Sequence, residues 1–377
     1  MKYFLIAGEA SGDLHASNLI RSLRERDPQG VFVGMGGEKM REAGCRLVQD
    51  CREMAFMGIV AVLKNLGKVH RNFRIAHEAL LQEKPDVVIL IDYPSFNLRM
   101  AKWCKQHLLQ TKVVYYIPPK VWAWKSWRVH KIARYTDLVL GIFPFEPSFY
   151  ARYGYDCQYV GNPTIDSIQV ALQKKSGVTY THPIIALLPG SRKSEISHCL
   201  PDMLEAARQV QTSHPDLEIV VTAAPGVEDA YYRCLMGETD GIQLTRDTYS
   251  VMRQAKAAVV NSGTATLETA LFGCPMVAVY YIATSRFFGK RVVDFFKHYL
   301  FHDGYFTLVN ILLGKEAVKE LIAEQFTATN ITDELTRLLD DSSYRDAQAA
   351  DFHQLADILG TTLAAQTAAE AIMKVCV

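Results

Sequence analysis

Residues Tyr3–Leu14 read YFLIAGEASGDL, and this stretch decides the fold class. Tyr3–Ala7 is a short apolar run, which predicts a buried first strand. The small and polar residues Gly8–Asp13 follow it, and the apolar spacing from Leu14 onwards predicts an amphipathic helix. A strand, a small-residue turn and a helix in this order are typical of an open α/β sheet that presents a ligand at the carboxyl end of its first strand. We therefore predict an α/β fold.

The turn after this strand has two interpretations. Gly8 and Gly12 would let the backbone approach a ligand closely, and the start of the helix would offer free N–H groups to an anion. A tight turn that binds nothing has the same pattern. Glu9 favours the ligand-binding interpretation, because a short acidic side chain between two glycines has little packing to do.

The composition limits the classes of protein to which this chain can belong. Its 377 residues are too many for one ordinary core, so two domains are expected. The net charge of +1 shows no global bias towards polyanions, and we expect no nucleic-acid partner. The eight cysteines form no CxxC pair and no cluster with histidine, which favours reduced thiols in a cytoplasmic protein over a disulfide framework or a metal site. The N-terminus does not resemble a signal peptide, and no apolar stretch approaches the ~20 residues of a membrane-spanning helix.

The chain divides into two similar halves. Apolar runs alternate with helical patterns through the first half, which is the rhythm of a parallel sheet. The rhythm breaks at Gly161–Pro163 and restarts with the apolar run Pro183–Leu188. We predict one α/β domain over 1–168 and a second over 169–344, followed by an Ala-rich helical segment that extends to the C-terminus.

A glycine turn follows the first apolar run of the second half. It contains Gly190, Ser191 and Arg192. A guanidinium at the end of a strand would pair with phosphate oxygens in two-point contacts. A solvated surface arginine is the alternative.

A second turn of the same half opens a helix that contains Glu268. Ser262, Gly263 and Thr264 form this turn. The N–H groups of Gly263 and Thr264 would face a phosphate, and Glu268 would accept hydrogen bonds from two vicinal hydroxyls, as on a ribose. The alternative is a glutamate that is favoured only by the helix dipole.

Asp92 ends Val87–Ile91, the most apolar run of the chain. An acid at the carboxyl end of a parallel strand points at the crevice where ligands bind. The same residue would also serve as a helix cap, so this position has two interpretations.

Two other patterns are ambiguous. Gly34–Gly37 resembles a dinucleotide loop, but Lys39 occupies the third glycine position, so the NAD fingerprint fails. Trp122 and Trp124 belong to an aromatic and basic cluster, which would bind a sugar or an anion or would fill the edge of a core.

Two amphipathic stretches suggest contact with a membrane surface. The stretch 54–73 is apolar on one side and basic on another, and 286–297 mixes aromatic residues with cations. Packing into a core is the alternative for both. The residues expected at the membrane are Met57, Ile59, Val62, Leu63, Lys64, Lys68, Arg71, Phe287 and Phe288.

Together these motifs resemble the lipid-A-disaccharide synthases, bacterial glycosyltransferases of the GT-B fold. The resemblance covers nearly the whole chain, and AGEASGD and VWAW in this order are specific to the family. The matching motifs are AGEASGD (7–13), MGIVAVL (57–63), KPDVVILIDYPSFN (84–97), VWAW (121–124), TDLVLGIFPFE (136–146), LLPGSR (187–192), SGTATLE (262–268) and NILLG (310–314). The family's usual serine before VWAW is Lys120 here, and its usual proline before the last motif is Val309.

The resemblance implies an inverting sugar transfer by a hexosyltransferase. UDP-2,3-diacylglucosamine would donate its sugar to 2,3-diacylglucosamine 1-phosphate (lipid X), and a β-1′,6-linked disaccharide and UDP would result. An inverting transfer needs one base that takes the proton of the acceptor hydroxyl. The resemblance places this base at Asp92, with Glu9 as the competitor. It implies no cofactor, and no Asp-x-Asp metal motif occurs in the strand-end turns.

The resemblance also implies an architecture of two Rossmann-like domains that face each other across a cleft. The first would hold the acceptor and the second UDP, and the segment 345–377 would complete the first domain. The acceptor side would involve Ser11, Gly12, Asp13, Asn97, Trp122 and Trp124. The UDP side would involve Gly190, Ser191, Arg192, Ser262, Gly263, Thr264, Glu268 and Asn310.

Three expectations concern partners and alternatives. Because both substrates carry acyl chains, we expect peripheral association with the anionic inner-membrane surface, and a homodimer is a candidate assembly. A UDP-sugar epimerase, which uses the same fold and the same UDP residues, is the alternative enzyme. A nucleotide-sugar binding protein without catalysis is the third interpretation.

Overall fold

The computed structural model describes residues 1–54, 66–122, 126–173, 177–237, 241–281 and 304–376. These residues belong to two compact units. The first contains Met1–Asp166 and Thr361–Val377, and the second contains Ser167–Gly360. Each unit has its own parallel sheet, which confirms the predicted α/β class with two parallel-sheet domains.

The first unit is built on a sheet of seven described strands in the order β3-β2-β1-β4-β5-β6-β7, with all neighbours parallel. The strands are β1 (Lys2–Ala7), β2 (Val31–Gly36), β3 (Arg46–Asp50), β4 (Val87–Ile91), β5 (Lys112–Tyr116), β6 (Leu138–Gly141) and β7 (Gln158–Tyr159). The helices between them are α1 (Ala10–Arg26), α2 (Glu38–Glu42), α3 (Leu66–Glu83), α4 (Pro94–His107), α5 (Arg128–Tyr135) and α6 (Glu146–Ala151). Every residue of β4 is buried, as expected for a central parallel strand that is covered on both faces.

The second unit repeats this plan with six described strands in the order β10-β9-β8-β11-β12-β13, again all parallel. The strands are β8 (Ile184–Leu188), β9 (Glu218–Thr222), β10 (Ile242–Thr245), β11 (Ala255–Asn261), β12 (Met276–Tyr280) and β13 (Lys319–Ile322). The helices are α7 (Pro163–Gln173), whose start overlaps the end of the first unit, and then α8 (Lys193–Ser213), α9 (Asp229–Met236), α10 (Thr248–Gln254), α11 (Thr264–Leu271), α12 (Leu308–Leu313), α13 (Ala328–Asp340) and α14 (Ser342–Leu359).

The chain returns to the first unit through its last helix, α15 (Ala364–Cys376). Small residues of α15 are buried in the core of the first unit together with residues of β1 and α1. The carboxylate of Asp166 accepts hydrogen bonds from the backbone N–H groups of Ala364 (2.8 Å) and Ala365 (3.1 Å). The first N–H groups of any helix have no partner within that helix. These two hydrogen bonds therefore satisfy two such groups and hold the start of α15.

The return begins later than the sequence suggested. The segment 345–360 lies in the second unit, and only residues from 361 onwards belong to the first. The side chain of Gln348 explains the difference, since it accepts from the N–H of Met276 (2.7 Å) and donates to the oxygen of the same residue (3.1 Å). A buried amide on α14 therefore ties that helix to β12, and an Ala-rich pattern does not reveal such a tie.

Each sheet has one pair of neighbouring strands at which the chain order reverses, and α/β sheets bind ligands at such a point. In the first sheet the pair is β1 and β4, where Ala7 lies opposite Ile91. In the second it is β8 and β11, where Leu188 lies opposite Val260. The turns that follow these four strands, together with the first two turns of the helices after them, contain the predicted acceptor and UDP residues other than Trp122, Trp124 and Asn310. In the described part of the chain, no helix is both long and apolar enough to span a membrane.

Candidate functional site

The structure brings Glu9 and Asp92 to the same edge of the first sheet. Glu9 follows β1, Asp92 follows β4, and these two strands are neighbours. The turns touch, because a Cβ atom on Gly8 would lie only 2.3 Å from the ring of Tyr93. Both acids therefore lie in adjoining turns at one edge of the sheet, and the sequence could not establish this because it does not reveal strand order.

Asp92 and Tyr93 have left-handed backbone conformations, with φ of 46° and 48°. Such angles are uncommon outside glycine and mark strain that the surroundings must hold. The N–H of Asp92 donates to the oxygen of Tyr116 over 3.2 Å. Its main-chain oxygen accepts from the hydroxyl of Tyr115 (2.9 Å) and from Nδ2 of Asn97 (2.7 Å). Tyr93, not Asp92, occupies the N-cap position of α4.

Two opposing effects act on the carboxyl group of Asp92. Burial raises its pKa, and the positive charge of Lys120 acts in the other direction. Solvent reaches the side chain of Lys120, but the protein packed around it lowers the pKa of its ammonium group, against the attraction of Asp92 and Glu146. Lys120 is thus an electrostatic neighbour of the candidate base.

Glu146 is a buried acid near this edge that the sequence reasoning did not single out, and its charge acts on Lys120. Its buried carboxylate accepts from the N–H groups of Ile142 (2.7 Å) and Phe143 (2.9 Å) and from Nε1 of Trp122 (3.2 Å). Burial raises the pKa of Glu146 to about 7. Its position at the end of the motif TDLVLGIFPFE was the available signal. Trp122 is itself buried and meets Phe143 edge-on, so it forms part of the core, whereas Trp124 lies outside the described residues.

Asp13 is engaged in holding the fold. Its carboxylate accepts from the backbone N–H groups of Gly37 (2.8 Å), Lys39 (3.1 Å) and Met40 (3.0 Å), around the start of α2. A side chain on Gly37 would meet this carboxylate at 2.5 Å, which explains the glycine there without a dinucleotide. Ser11 remains exposed on the first turn of α1.

Gly12 and Asn97 also have structural contacts at this edge. A Cβ on Gly12 would lie 3.4 Å from that of Ala7, so the helix starts close against β1. Nδ2 of the fully buried Asn97 donates to the oxygen of Ile91 (3.2 Å) in addition to that of Asp92. Both residues therefore support the turns that carry the two acids.

In the second unit, the turns after β8 and β11 meet at the corresponding place. Gly190 has a φ of 124°, and a Cβ there would lie 2.7 Å from Nδ2 of Asn261 and 2.8 Å from Glu195. Only glycine fits this conformation and this space without strain. The backbone of Gly190 and Ser191 therefore lies close to the end of β11.

Arg192 extends from this turn and is half exposed. Its guanidinium pairs with Oε1 of Glu195 at 2.5 Å, while Oε2 of Glu195 accepts from the N–H of Ser191 at 2.9 Å. Glu195 thus orients the arginine, and a guanidinium has five N–H donors, so others remain for an anion. The adjacent N-terminus of the 21-residue helix α8 adds positive potential.

The turn Ser262–Thr264 opens α11. The N–H of Ser262 donates to the oxygen of Val279 over 2.8 Å, while Gly263 and Thr264 are exposed. One turn further, the carboxylate of Glu268 accepts from the hydroxyl of Tyr249 over 2.9 Å. Burial raises the pKa of Glu268, and this hydrogen bond acts in the other direction.

Asn310 is fully buried and has its polar atoms engaged within the second unit. Its Nδ2 donates to the oxygen of Val318 and to Oε1 of Glu320, both at 2.8 Å. Its Oδ1 accepts from the N–H groups of Ala317 and Val318, both at 2.9 Å. The described contacts give Asn310 a role in the fold, and its expected contact with UDP stays a prediction.

The residues expected at a membrane are only partly described. Lys68 and Arg71 are exposed on α3. The others lie outside the described residues, namely Met57, Ile59, Val62, Leu63, Lys64, Phe287 and Phe288. Within the described ranges, no three His, Cys, Asp or Glu side chains are grouped as metal ligands.

Comparisons with known proteins identify the family and the fold of this chain. The family model of lipid-A-disaccharide synthetase matches residues 3–374. A lipid-A-disaccharide synthase of Geobacter sulfurreducens is 36% identical over 368 residues, which are 96% of this chain and 93% of the relative. A lipid-A-disaccharide synthase of Trichlorobacter lovleyi is 40% identical over 354 residues, which are 92% and 90% of the two chains.

Solved structures share the fold at low identity. A putative UDP-N-acetylglucosamine 2-epimerase from Listeria monocytogenes is 16% identical with a TM-score of 0.65, and the match covers 99% of this chain and 94% of that one. A calicheamicin glycosyltransferase is also 16% identical, with a TM-score of 0.59 and coverage of 99% and 98%. These likenesses support the GT-B fold. The family match over nearly the whole length and the identity to full-length relatives show more: this chain belongs to the lipid-A-disaccharide synthase family.

Proposed function

We propose that this chain transfers the sugar of UDP-2,3-diacylglucosamine to 2,3-diacylglucosamine 1-phosphate, forming the β-1′,6-linked disaccharide and UDP. The observation that carries the proposal is the strained turn with Asp92 beside Glu9 at the reversal point of the first sheet. The names of the relatives support the choice of substrates. The first unit is then the acceptor side and the second the donor side.

Asp92 is the proposed general base. Its ionised carboxylate takes the proton of the acceptor's 6-hydroxyl while that oxygen attacks the anomeric carbon of the donor from the side opposite UDP. The bond between the anomeric carbon and the diphosphate oxygen breaks, and UDP leaves with the electron pair. Attack from the opposite side inverts the configuration from α to β. Glu9 is proposed to orient the acceptor.

The second unit supplies the donor site of this proposal. Arg192 binds the diphosphate, and the N–H groups of Gly263 and Thr264 face a phosphate at the start of α11. Fixed positive groups that face the departing diphosphate stabilise the charge that develops in the transition state. Glu268 accepts hydrogen bonds from the ribose hydroxyls.

The enzyme is proposed to work at the anionic surface of the inner membrane, where both of its acylated substrates reside. The support on the described part of the chain is the pair of exposed cations Lys68 and Arg71 on α3. Basic side chains near such a surface contribute about 1 kcal/mol each. A homodimer is part of the same proposal, and sedimentation equilibrium tests it.

Product analysis tests the proposed reaction. The purified chain is incubated with the UDP-sugar alone and with the UDP-sugar plus the lipid acceptor, and the products are separated by thin-layer chromatography. We expect a disaccharide only when both substrates are present. An epimerase would convert the UDP-sugar without an acceptor, and a binding protein would leave both lipids unchanged. The support for the epimerase alternative is a likeness in fold, such as that to the Listeria monocytogenes structure at 16% identity.

A further inference from the structure

The carboxylate of Glu268 has one engaged and one open oxygen. The hydroxyl of Tyr249, at the start of α10, donates to Oε1 over 2.9 Å. Within the described residues, no side chain or main-chain group donates a hydrogen bond to Oε2. One oxygen is therefore held by the protein while the other stays available to a ligand hydroxyl.

The tyrosine matters because the surroundings of Glu268 disfavour a charge. Burial raises the pKa of this carboxyl group, and the hydrogen bond from Tyr249 counteracts the effect. An ionised carboxylate accepts hydrogen bonds at both oxygens, whereas a protonated one presents an O–H donor at one of them. Binding of two vicinal hydroxyls therefore depends on the ionised form.

Tyr249 is itself well suited to act only as a donor. Burial and the neighbouring Glu268 raise the pKa of its hydroxyl, which therefore stays protonated. Its ring packs against Phe272, with ring centroids 5.2 Å apart. The start of α10 is fixed by Asp247, whose carboxylate accepts from the N–H (3.2 Å) and the hydroxyl (2.5 Å) of Ser250.

We infer that Tyr249 is a positioning residue that holds Glu268 as the hydrogen-bond acceptor for the vicinal hydroxyls of the nucleotide ribose. The inference rests on the proposed role of Glu268 in the UDP site. It adds a residue that no motif of the sequence pointed to, because Tyr249 precedes the motif SGTATLE by thirteen positions in the chain. Only the packing of α10 beside α11 brings its hydroxyl to the carboxylate.

The test compares the binding of UDP and 2′-deoxy-UDP by calorimetry. Tyr249→Phe removes one hydroxyl and keeps the ring. We expect this variant to bind UDP about 3- to 10-fold more weakly, less than the loss of a direct hydrogen bond to a charged group would cause, because Tyr249 acts on the ribose only through Glu268. It should bind 2′-deoxy-UDP almost as the parent does. The preference for UDP over its 2′-deoxy form should therefore decrease. If Tyr249 served folding alone, its replacement would weaken the binding of both nucleotides equally.

A matched control comes from a second Tyr–Glu pair in the same unit. The hydroxyl of Tyr344 donates to Oε1 of Glu334 over 2.5 Å, between α14 and α13. Tyr344→Phe removes the same kind of bond and should leave both nucleotide affinities unchanged. Thermal melting of each variant confirms that it is folded.

Glu268→Gln distinguishes a failure of the proposed ribose contact of Glu268 from a failure of the inferred role of Tyr249. If this variant keeps the full preference for UDP over 2′-deoxy-UDP, Glu268 does not bind the ribose. The proposed role of Glu268 in the donor site is then wrong. If it loses the preference while Tyr249→Phe retains it, the donor site stands and the inference about Tyr249 is wrong. The inference is also wrong if Tyr249→Phe binds UDP and 2′-deoxy-UDP more weakly by the same factor.

Discussion

Nδ2 of Asn97 donates to the main-chain oxygen of Asp92 over 2.7 Å, and this bond joins a fully buried amide to the strained turn that carries the proposed base. The hydroxyl of Tyr115 donates to the same oxygen. Two donors on one carbonyl fix the direction of the peptide that follows Asp92. The left-handed backbone is therefore held from inside the first unit.

Loss of this support should reduce both stability and turnover. Asn97→Ala removes one of the two donors to the main-chain oxygen of Asp92 and the side-chain donor to that of Ile91. The loss of buried hydrogen bonds costs about 0.5–1.5 kcal/mol of unfolding free energy for each bond. We expect a lower melting temperature and a decrease in kcat, because the turn is released. Asn330→Ala is the control, since its amide also donates to a main-chain oxygen, that of Gln325, but at the surface. Equal melting temperatures for the two variants would contradict the role given to Asn97.

Asp92→Asn should remove the base and leave the donor site intact. General-base removal typically lowers the rate about 100- to 10,000-fold. UDP affinity should survive, because the proposed donor residues belong to the other unit. Glu9→Gln should instead raise the apparent KM for the acceptor with a smaller loss of kcat. Steady-state kinetics of both variants decides the assignment, and near-normal kcat in Asp92→Asn with a large loss in Glu9→Gln would exchange the two roles.

The pH dependence of the reaction should report on Lys120. The base is active when ionised, so kcat/KM falls as the pH decreases through the pKa of Asp92. Burial raises this pKa and Lys120 lowers it, so Lys120→Met should move the acid limb of the profile to higher pH. Lys120→Arg keeps the charge and should keep the limb near its original position. An acid limb that does not move in Lys120→Met would show that the ammonium group does not act on the base.

Arg192→Ala should weaken UDP binding. A lost hydrogen bond to a charged group costs about 1.5–3 kcal/mol, which corresponds to roughly a 10- to 150-fold increase in Kd. Calorimetry with UDP measures the effect. Lys315→Ala removes another cation of the same unit that pairs with an acid, Asp351, and should leave UDP affinity unchanged. Unchanged UDP affinity in Arg192→Ala would remove Arg192 from the donor site.

Charge reversal on the basic stretch should release the protein from anionic vesicles. The variant combines Lys64→Glu, Lys68→Glu and Arg71→Glu, of which Lys64 lies outside the described residues. Vesicle sedimentation at low and high salt measures binding, because the attraction of exposed charges is screened by salt. The matched control reverses three cations of the second unit, Arg233, Lys256 and Lys315. Binding that neither salt nor the first variant reduces would contradict the membrane contact of this stretch.

The local pattern of the sequence was sufficient for the fold class and for the positions of the turns. Apolar runs such as Val87–Ile91 predict buried parallel strands, because both faces of such strands are covered. Glycine and polar residues after a strand predict a turn at its carboxyl end. Asp92, Arg192 and Glu268 were proposed as candidates in this way, since the pattern that singles out each of them needs only its own neighbours in the chain.

What the tertiary structure decided depends on strand order and side-chain packing over long sequence distances. It placed Glu9 next to the turn of Asp92, and it assigned the carboxylate of Asp13 to the start of α2. It also brought Tyr249 to Glu268, and it joined Gln348 to β12 so that α14 belongs to the second unit. Each of these contacts joins residues from separate elements, and their geometry follows from how the elements pack. The sequence by itself therefore determined where the turns and their candidate residues lie, and the fold determined which residues hold those turns in place.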